Sequence, residues 1–102
     1  MRRIKHKYHA IPTFRDGIRF DSKKEAAYYD DLKLRVAAGE VLFFFRQTPI
    51  HLPGGVKMVV DFLEFHTDGT VHVIDVKGYK TDVYKNKKSM VEALYPITVE
   101  EK

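Results

Sequence analysis

The sequence predicts one mixed α/β domain of the α+β kind, with a central sheet flanked by helices and the order helix, three strands, helix, strand. Three features carry that expectation. Ser22 with Glu25 three residues later, an alanine-containing stretch and then Gly39 bracket a helix. Runs rich in β-branched and aromatic residues, Val41 to Gln47, Lys57 to Phe65 and Thr70 to Lys77, are separated by Pro53-Gly54-Gly55 and by Thr67-Asp68-Gly69. Thr81 and Pro96 bracket a second helix, and Ile97 to Glu100 follows as a short edge strand. With 102 residues, 44% of them hydrophobic, the chain buries one modest core, so residues 13–102 read as a single domain behind a basic, flexible arm over residues 1–12.

Taken in order, the arm is irregular and ends at Pro12, and Thr13 to Phe20 is a short extended piece turning at Asp16-Gly17. The first helix runs from about Ser22 to Ala38. Glu25, Tyr29, Leu32 and Val36 recur along it at helical spacing, which puts Glu25 at one end of the stripe facing the sheet. Glu25 has a second reading, as the residue that completes the capping box by reaching back to the Ser22 amide. In the first strand, Phe43-Phe44-Phe45 is dense enough to imply that both faces are covered.

The turn between the second and third strands decides which side chains meet, because a slip of one residue moves a strand's side chains to the opposite face. A two-residue loop pairs Thr67 with Thr70 and leaves Asp61 opposite Val76. A three-residue loop pairs His66 with Thr70 and hence Asp61 with Asp75. Glycine at the third loop position, Gly69, favours the longer loop. That register puts Val59, Asp61, Leu63 and Phe65 on the face carrying Val71, Val73, Asp75 and Lys77, apolar near the hairpin tip and charged at the open end. In the second helix, about Thr81 to Leu94, Val83, Lys87, Met90 and Leu94 form one stripe and Tyr84, Lys88, Val91 and Tyr95 an adjacent one. Lys87 therefore falls near the buried side, either snorkelling or reaching for a phosphate.

The formal charge is +4, with Arg2, Arg3, Lys5 and Lys7 in the arm and Lys77, Lys80, Lys85, Lys87 and Lys88 against Asp82 further on. Two basic ends thus bracket an acidic middle, a layout that draws a polyanion toward a carboxylate-lined pocket. The alternative is a solvated helix face and a free tail. Cysteine is absent, which excludes disulfides and thiolate zinc sites, and no apolar run is long enough to span a membrane; the expected compartment is reducing and cytoplasmic. His6, His9, His51, His66 and His72 lack metal-ligand spacing, and Gly54-Gly55 lacks the lysine and helix of a phosphate loop.

The chemistry concentrates at Asp61, inside an apolar strand, and at Asp75-Val76-Lys77, where the acid and the amine share a strand face. Buried acids need a partner or a cation, so two acids converging with a lysine point to metal-assisted phosphoryl chemistry. A plain ion pair between Asp61 and Lys77 is the non-catalytic alternative.

Glu25, Asp61 and Asp75-Val76-Lys77 resemble the core of the PD-(D/E)xK nuclease superfamily, whose restriction-endonuclease-like fold has the same helix, three-strand, helix, strand order. The resemblance spans about Gly17 to Val99. More narrowly, the stretch from Asp16 to Ala26, the triplet with Gly78 and the lysine-rich second helix are similar to a family of small phage-encoded proteins assigned to that superfamily. Val60 stands where a proline is usual before the first acid, and Asp75 takes the variable acidic place.

The resemblance implies a divalent-metal-dependent DNA endonuclease, structure-selective rather than sequence-specific, serving phage DNA processing, replication or recombination in the host cytoplasm. Asp61, Asp75 and the Val76 carbonyl would hold magnesium, or manganese in its place. Lys77 would sit beside the attacking water or the phosphate, Glu25 would hold a water or a second cation, and Gln47 would be an accessory polar residue. Lys80, Tyr84, Lys85, Lys87 and Lys88, with the arm's Arg2, Arg3, Lys5 and Lys7, would follow the DNA backbone. A homodimer would present two sites to two strands. The alternatives are a non-catalytic nucleic-acid-binding module with the same fold and an interaction protein whose acids serve only stability.

Overall fold

The computed structural model describes residues 12–102. The basic arm therefore lies outside the described residues, Pro12 excepted. Two helices and a mixed four-stranded sheet make up the body, with a small hairpin in front. That hairpin, β1 (Thr13–Arg15) and β2 (Ile18–Phe20), turns at Asp16 and Gly17, both at positive φ, as a two-residue loop between antiparallel strands requires.

Helix α1 (Lys23–Ala37) starts where the capping pattern places it: the Ser22 hydroxyl accepts from the Glu25 amide at 3.2 Å. It buries Glu25, Ala26, Tyr29 and Leu32, and its core continues through Phe20, Val41, Phe62, Ile74 and Val76. The expected stripe is thus the packed one, with Val36 half-buried at its end.

Strands β3 (Val41–His51), β4 (Lys57–His66), β5 (Val71–Asp75) and β6 (Val99–Glu101) lie in that spatial order, antiparallel except for the parallel β5/β6 pair. The three-residue loop is present. His66 N donates to Thr70 O at 2.9 Å, Gly69 has φ +90°, and the ladder runs Phe65↔Val71, Leu63↔Val73 and Phe62↔Ile74. The Asp68 carboxylate locks the loop by accepting from the Thr70 amide and hydroxyl.

Two expectations need correction. Strand β3 does not end at Gln47 and is not covered on both faces; it is an edge strand through His51, and Pro49 fits because an edge position can spare an N–H. Phe44 packs toward α1, while Phe43 and Phe45 stay 47% and 55% exposed on the other face. In α2 (Asp82–Leu94), capped by the Thr81 hydroxyl, Tyr84 and Val91 are buried, whereas Val83, Met90 and Leu94 are exposed. The short strands β5 and β6 offer one helical stripe a surface, and the adjacent stripe faces out.

Val73 belongs to the core beneath α2 and Ile74 to the core beneath α1. Neighbours on a strand face opposite ways, so the helices cover opposite faces of the sheet. Strands β3 and β4 add a twist to this rule. Phe44 and Phe62 pack with α1, yet Ile50, Met58 and Val60, of the same parity, pack with α2. The covered side changes at the Gln47/Asp61 position, so Val59 does not continue a face with Leu63; it is exposed. The candidate acids sit at this change-over.

Candidate active site

Beyond Phe62↔Ile74 the β4/β5 ladder gives way to side chains. Asp61 N donates to Asp75 Oδ1 at 3.1 Å, and Val76 N donates to Asp61 Oδ2 at 2.8 Å. Each aspartate thus caps the other's strand, which is possible only in the register that sets Asp61 opposite Asp75. Gln47, φ +48°, stands across from Asp61 and donates through Nε2 to Asp61 Oδ1 at 3.2 Å and to Glu25 Oε2 at 3.1 Å. The structure therefore joins Glu25, Gln47, Asp61 and Asp75 in one cluster. Glu25 spends its carboxylate on Gln47, on the sheet side of α1.

Lys77 Nζ lies 3.6 Å from Asp75 Oδ2 and over the Tyr84 ring at 4.8 Å, so the amine shares the face of Asp75 as the strand alternation requires. Val76 enters through its amide, and its side chain packs in the α1 core. Tyr84, expected among the DNA-tracking residues, is buried instead, its hydroxyl donating to Glu101 Oε2 at 3.0 Å. Lys88 and Lys80 meet the same Glu101 carboxylate at 3.2 and 3.6 Å, Lys85 is exposed and Lys87 half-buried. Arg2, Arg3, Lys5 and Lys7 lie outside the described residues.

Three site residues escaped the sequence reading. Arg46 covers the Phe20 ring at 4.5 Å and reaches Glu25 Oε2 at 4.0 Å; its signal was a lone charge closing an aromatic run. Lys24 donates to the Lys77 carbonyl at 3.0 Å and ties α1 to the triplet. Glu101 gathers Tyr84, Lys80 and Lys88, and nothing in its local sequence marked it.

Electrostatically the cluster is under tension. Burial, followed by the Asp61 charge, pushes the Asp75 carboxyl up to about 7, with Lys77 opposing. Burial and then Asp61 likewise push Glu25 up to about 7 against the pull of Arg46. Asp75 is 1% exposed, and its Oδ2 is buried without a hydrogen-bond partner; Arg46 Nε and Thr48 Oγ1, on either side of Gln47, are the other two such atoms among the described residues. An orphaned carboxylate oxygen beside a second acid fits a hard cation. Among the described residues, however, no three His, Cys, Asp or Glu side chains form a ready cage, and each aspartate gives one oxygen to a backbone amide.

An acid whose folded-state pKa is raised costs stability once it ionises. The cost is absent below the ordinary values of 3.8 and 4.5, grows as pH rises toward about 7, and then levels off. Without divalent ions the melting temperature is expected to rise when the pH falls from 8 to about 5.5. Glu64, Asp16, Asp68 and Glu101, whose pKa values are lowered, oppose this only at more acidic pH. A flat melting profile across that window would refute the assignment.

Gln47 provides a second test. A left-handed non-glycine residue costs about 1–2 kcal/mol, and that strain is held where it aims an amide at two carboxylates. Gln47→Gly, which relieves that strain, should melt no lower than the parent. A variant melting well below it would mean that the two amide hydrogen bonds outweigh the strain.

The cluster lies inside a stretch of recognisable ancestry. A family model described as "Protein of unknown function (DUF1064)" matches residues 5–100. The chain belongs to the DUF1064 family. No curated protein and no solved structure matches it. The DUF1064 match takes in every element from β1 to α2 and all five residues Glu25, Gln47, Asp61, Asp75 and Lys77. No helix of the described residues is long and apolar enough to cross a membrane.

Proposed function

We propose that this DUF1064 protein is a divalent-metal-dependent phosphodiesterase with a restriction-endonuclease-like core, cutting DNA by structure rather than by sequence. The observation that carries this reading is the reciprocal Asp61/Asp75 pair, with the orphaned Asp75 Oδ2 beside Lys77 Nζ. Asp75 Oδ2 and Asp61 Oδ1 are the oxygens that would hold magnesium or manganese, with the Val76 carbonyl next in line. When bound, such an ion supplies Lewis-acid polarisation of a phosphate and a lowered pKa for water. Lys77 offers a fixed positive charge to the phosphate or to the attacking oxygen. Gln47 holds Glu25 and Asp61 at their spacing, and Glu25 would hold a water or a second cation. Lys85 and Lys87 are left to contact the DNA backbone, affinity for which should fall as salt rises. The cytoplasm-like compartment and the role in phage DNA processing belong to the same proposal.

The capping of backbone amides by both aspartates favours a second reading, a nucleic-acid-binding module whose acids only close the sheet end. One experiment separates the two. Purified protein is incubated with supercoiled, linear and branched DNA in magnesium, manganese or chelator, beside Asp75→Ala and Lys77→Ala. Metal-dependent nicking by the parent alone is the expected result. Salt-sensitive binding without nicking on any substrate selects the binding module, and nicking by both folded variants overturns the site.

A further inference from the structure

The sheet has an open, uncharged edge that the chemistry above does not use. Strand β3 lies at the margin of the sheet, and among the described residues no backbone hydrogen bond closes its outer side between Leu42 and Arg46. On the face away from α1, Phe43 stacks on Phe65 at 4.5 Å with an interplanar angle of 16°, and Phe45 meets both rings edge-on at 5.6 and 5.8 Å. Val71, opposite Phe65, is 53% exposed. Proteins usually guard such an edge with charge, proline or distortion. Here Pro49 and the left-handed Gln47 guard the far half of the strand, and the register shift between Val41 and Phe43 its start, which leaves Phe43 to Arg46 as the regular stretch.

We propose that a second copy of this chain docks on this edge, β3 pairing antiparallel with the β3 of the other copy. A row of unpaired N–H and C=O groups is satisfied by another strand, and a two-fold axis makes one strand its own complement. Val41 to Phe45 carries no charge, so the pairing sets no like charges opposite each other. An axis near Phe44 brings Phe43 of one copy against Phe45 of the other and joins both aromatic clusters into one. The face of Phe43, Phe45, Leu63, Phe65 and Val71 offers no lysine or arginine of its own, which disfavours nucleic acid as the occupant, since phosphate neutralisation dominates that affinity. The inference does not depend on the proposed catalysis.

Sedimentation equilibrium of the full chain, from low to high micromolar concentration, tests it. The expected result is a mass moving toward twice that of the chain. Phe43→Lys and Phe45→Lys should each weaken the dimer about tenfold or more with an unchanged circular-dichroism spectrum, whereas Val83→Lys and Leu94→Lys, on the exposed side of α2, should leave it intact. A monomer at every concentration overturns the proposal. So does a dimer that responds only to the α2 variants. If the β3 variants lose DNA binding while the mass is unchanged, the phenylalanines serve unpaired bases and the proposal likewise fails.

Discussion

Asp75→Asn should lose at least about a hundredfold in metal-dependent DNA cleavage and, in chelator at pH 8, should melt above the parent. The two effects have one origin. Ionised Asp75 is held at 1% exposure against the Asp61 charge, with Lys77 3.6 Å away as its counter-ion among the described residues. An asparagine keeps an oxygen to accept from Asp61 N and discards the buried charge, relieving on the order of 2–4 kcal/mol. Added magnesium should then stabilise the parent and leave the variant unmoved, because an ion that binds only the folded state raises its stability by mass action. Thermal melts with and without magnesium, beside a nicking assay, read all three quantities. A variant that melts below the parent in chelator would mean that the carboxylate is structural.

The second large effect lies away from the acids, in the network around Glu64. This residue is 1% exposed, accepts from the Tyr28 hydroxyl, from His66 at 2.8 Å and from Arg35 at 3.3 Å, and stacks its partners into the α1 side of the sheet. Burial pushes its pKa up, but the hydrogen bonds from Tyr28, His66 and Arg35 outweigh that and hold it below the usual range. Its contribution is therefore complete above the ordinary pKa and fades as the pH falls through the lowered one. Glu64→Ala leaves the Tyr28 hydroxyl without an acceptor, with only the bond it accepts from Arg35 at 3.0 Å, and removes a buried partner of Arg35, at an expected cost of about 3–5 kcal/mol. Glu64→Gln, which retains an acceptor, should cost less. Urea denaturation at pH 7 measures both, and a loss below about 1 kcal/mol for the alanine variant would mean the network is no stronger than a surface pair.

Much of this was legible in residues whose meaning is local. Ser22 and Glu25 fix a helix start through their own hydrogen bond, and Thr67-Asp68-Gly69 fixes a register through one left-handed glycine. From that register the Asp61/Asp75 encounter follows by counting. What stayed hidden depends on neighbours distant in sequence. Whether Phe43 and Phe45 are covered is decided by which face of β3 a helix packs over, and α1 takes the face of Phe44. Whether Val83 or Tyr84 faces inward depends on how narrow a surface β5 and β6 present. Glu64, between Leu63 and Phe65, reads as a solvent-facing position; its burial requires Tyr28 and Arg35 from a helix about 30 residues away. The left-handed backbone of Gln47 carries no sequence mark, since glutamine has no preference for that region.

Strand β6 is only three residues long, but it does more than border the sheet. Lys102 N donates to Asp75 O at 3.0 Å, Lys77 N donates to Lys102 O at 3.4 Å, and Glu101 gathers Tyr84, Lys80 and Lys88. Removing residues 99–102 would thus unfasten Asp75, Lys77 and the lysines beside Glu101 while leaving Glu25, Asp61 and Asp75 in the chain.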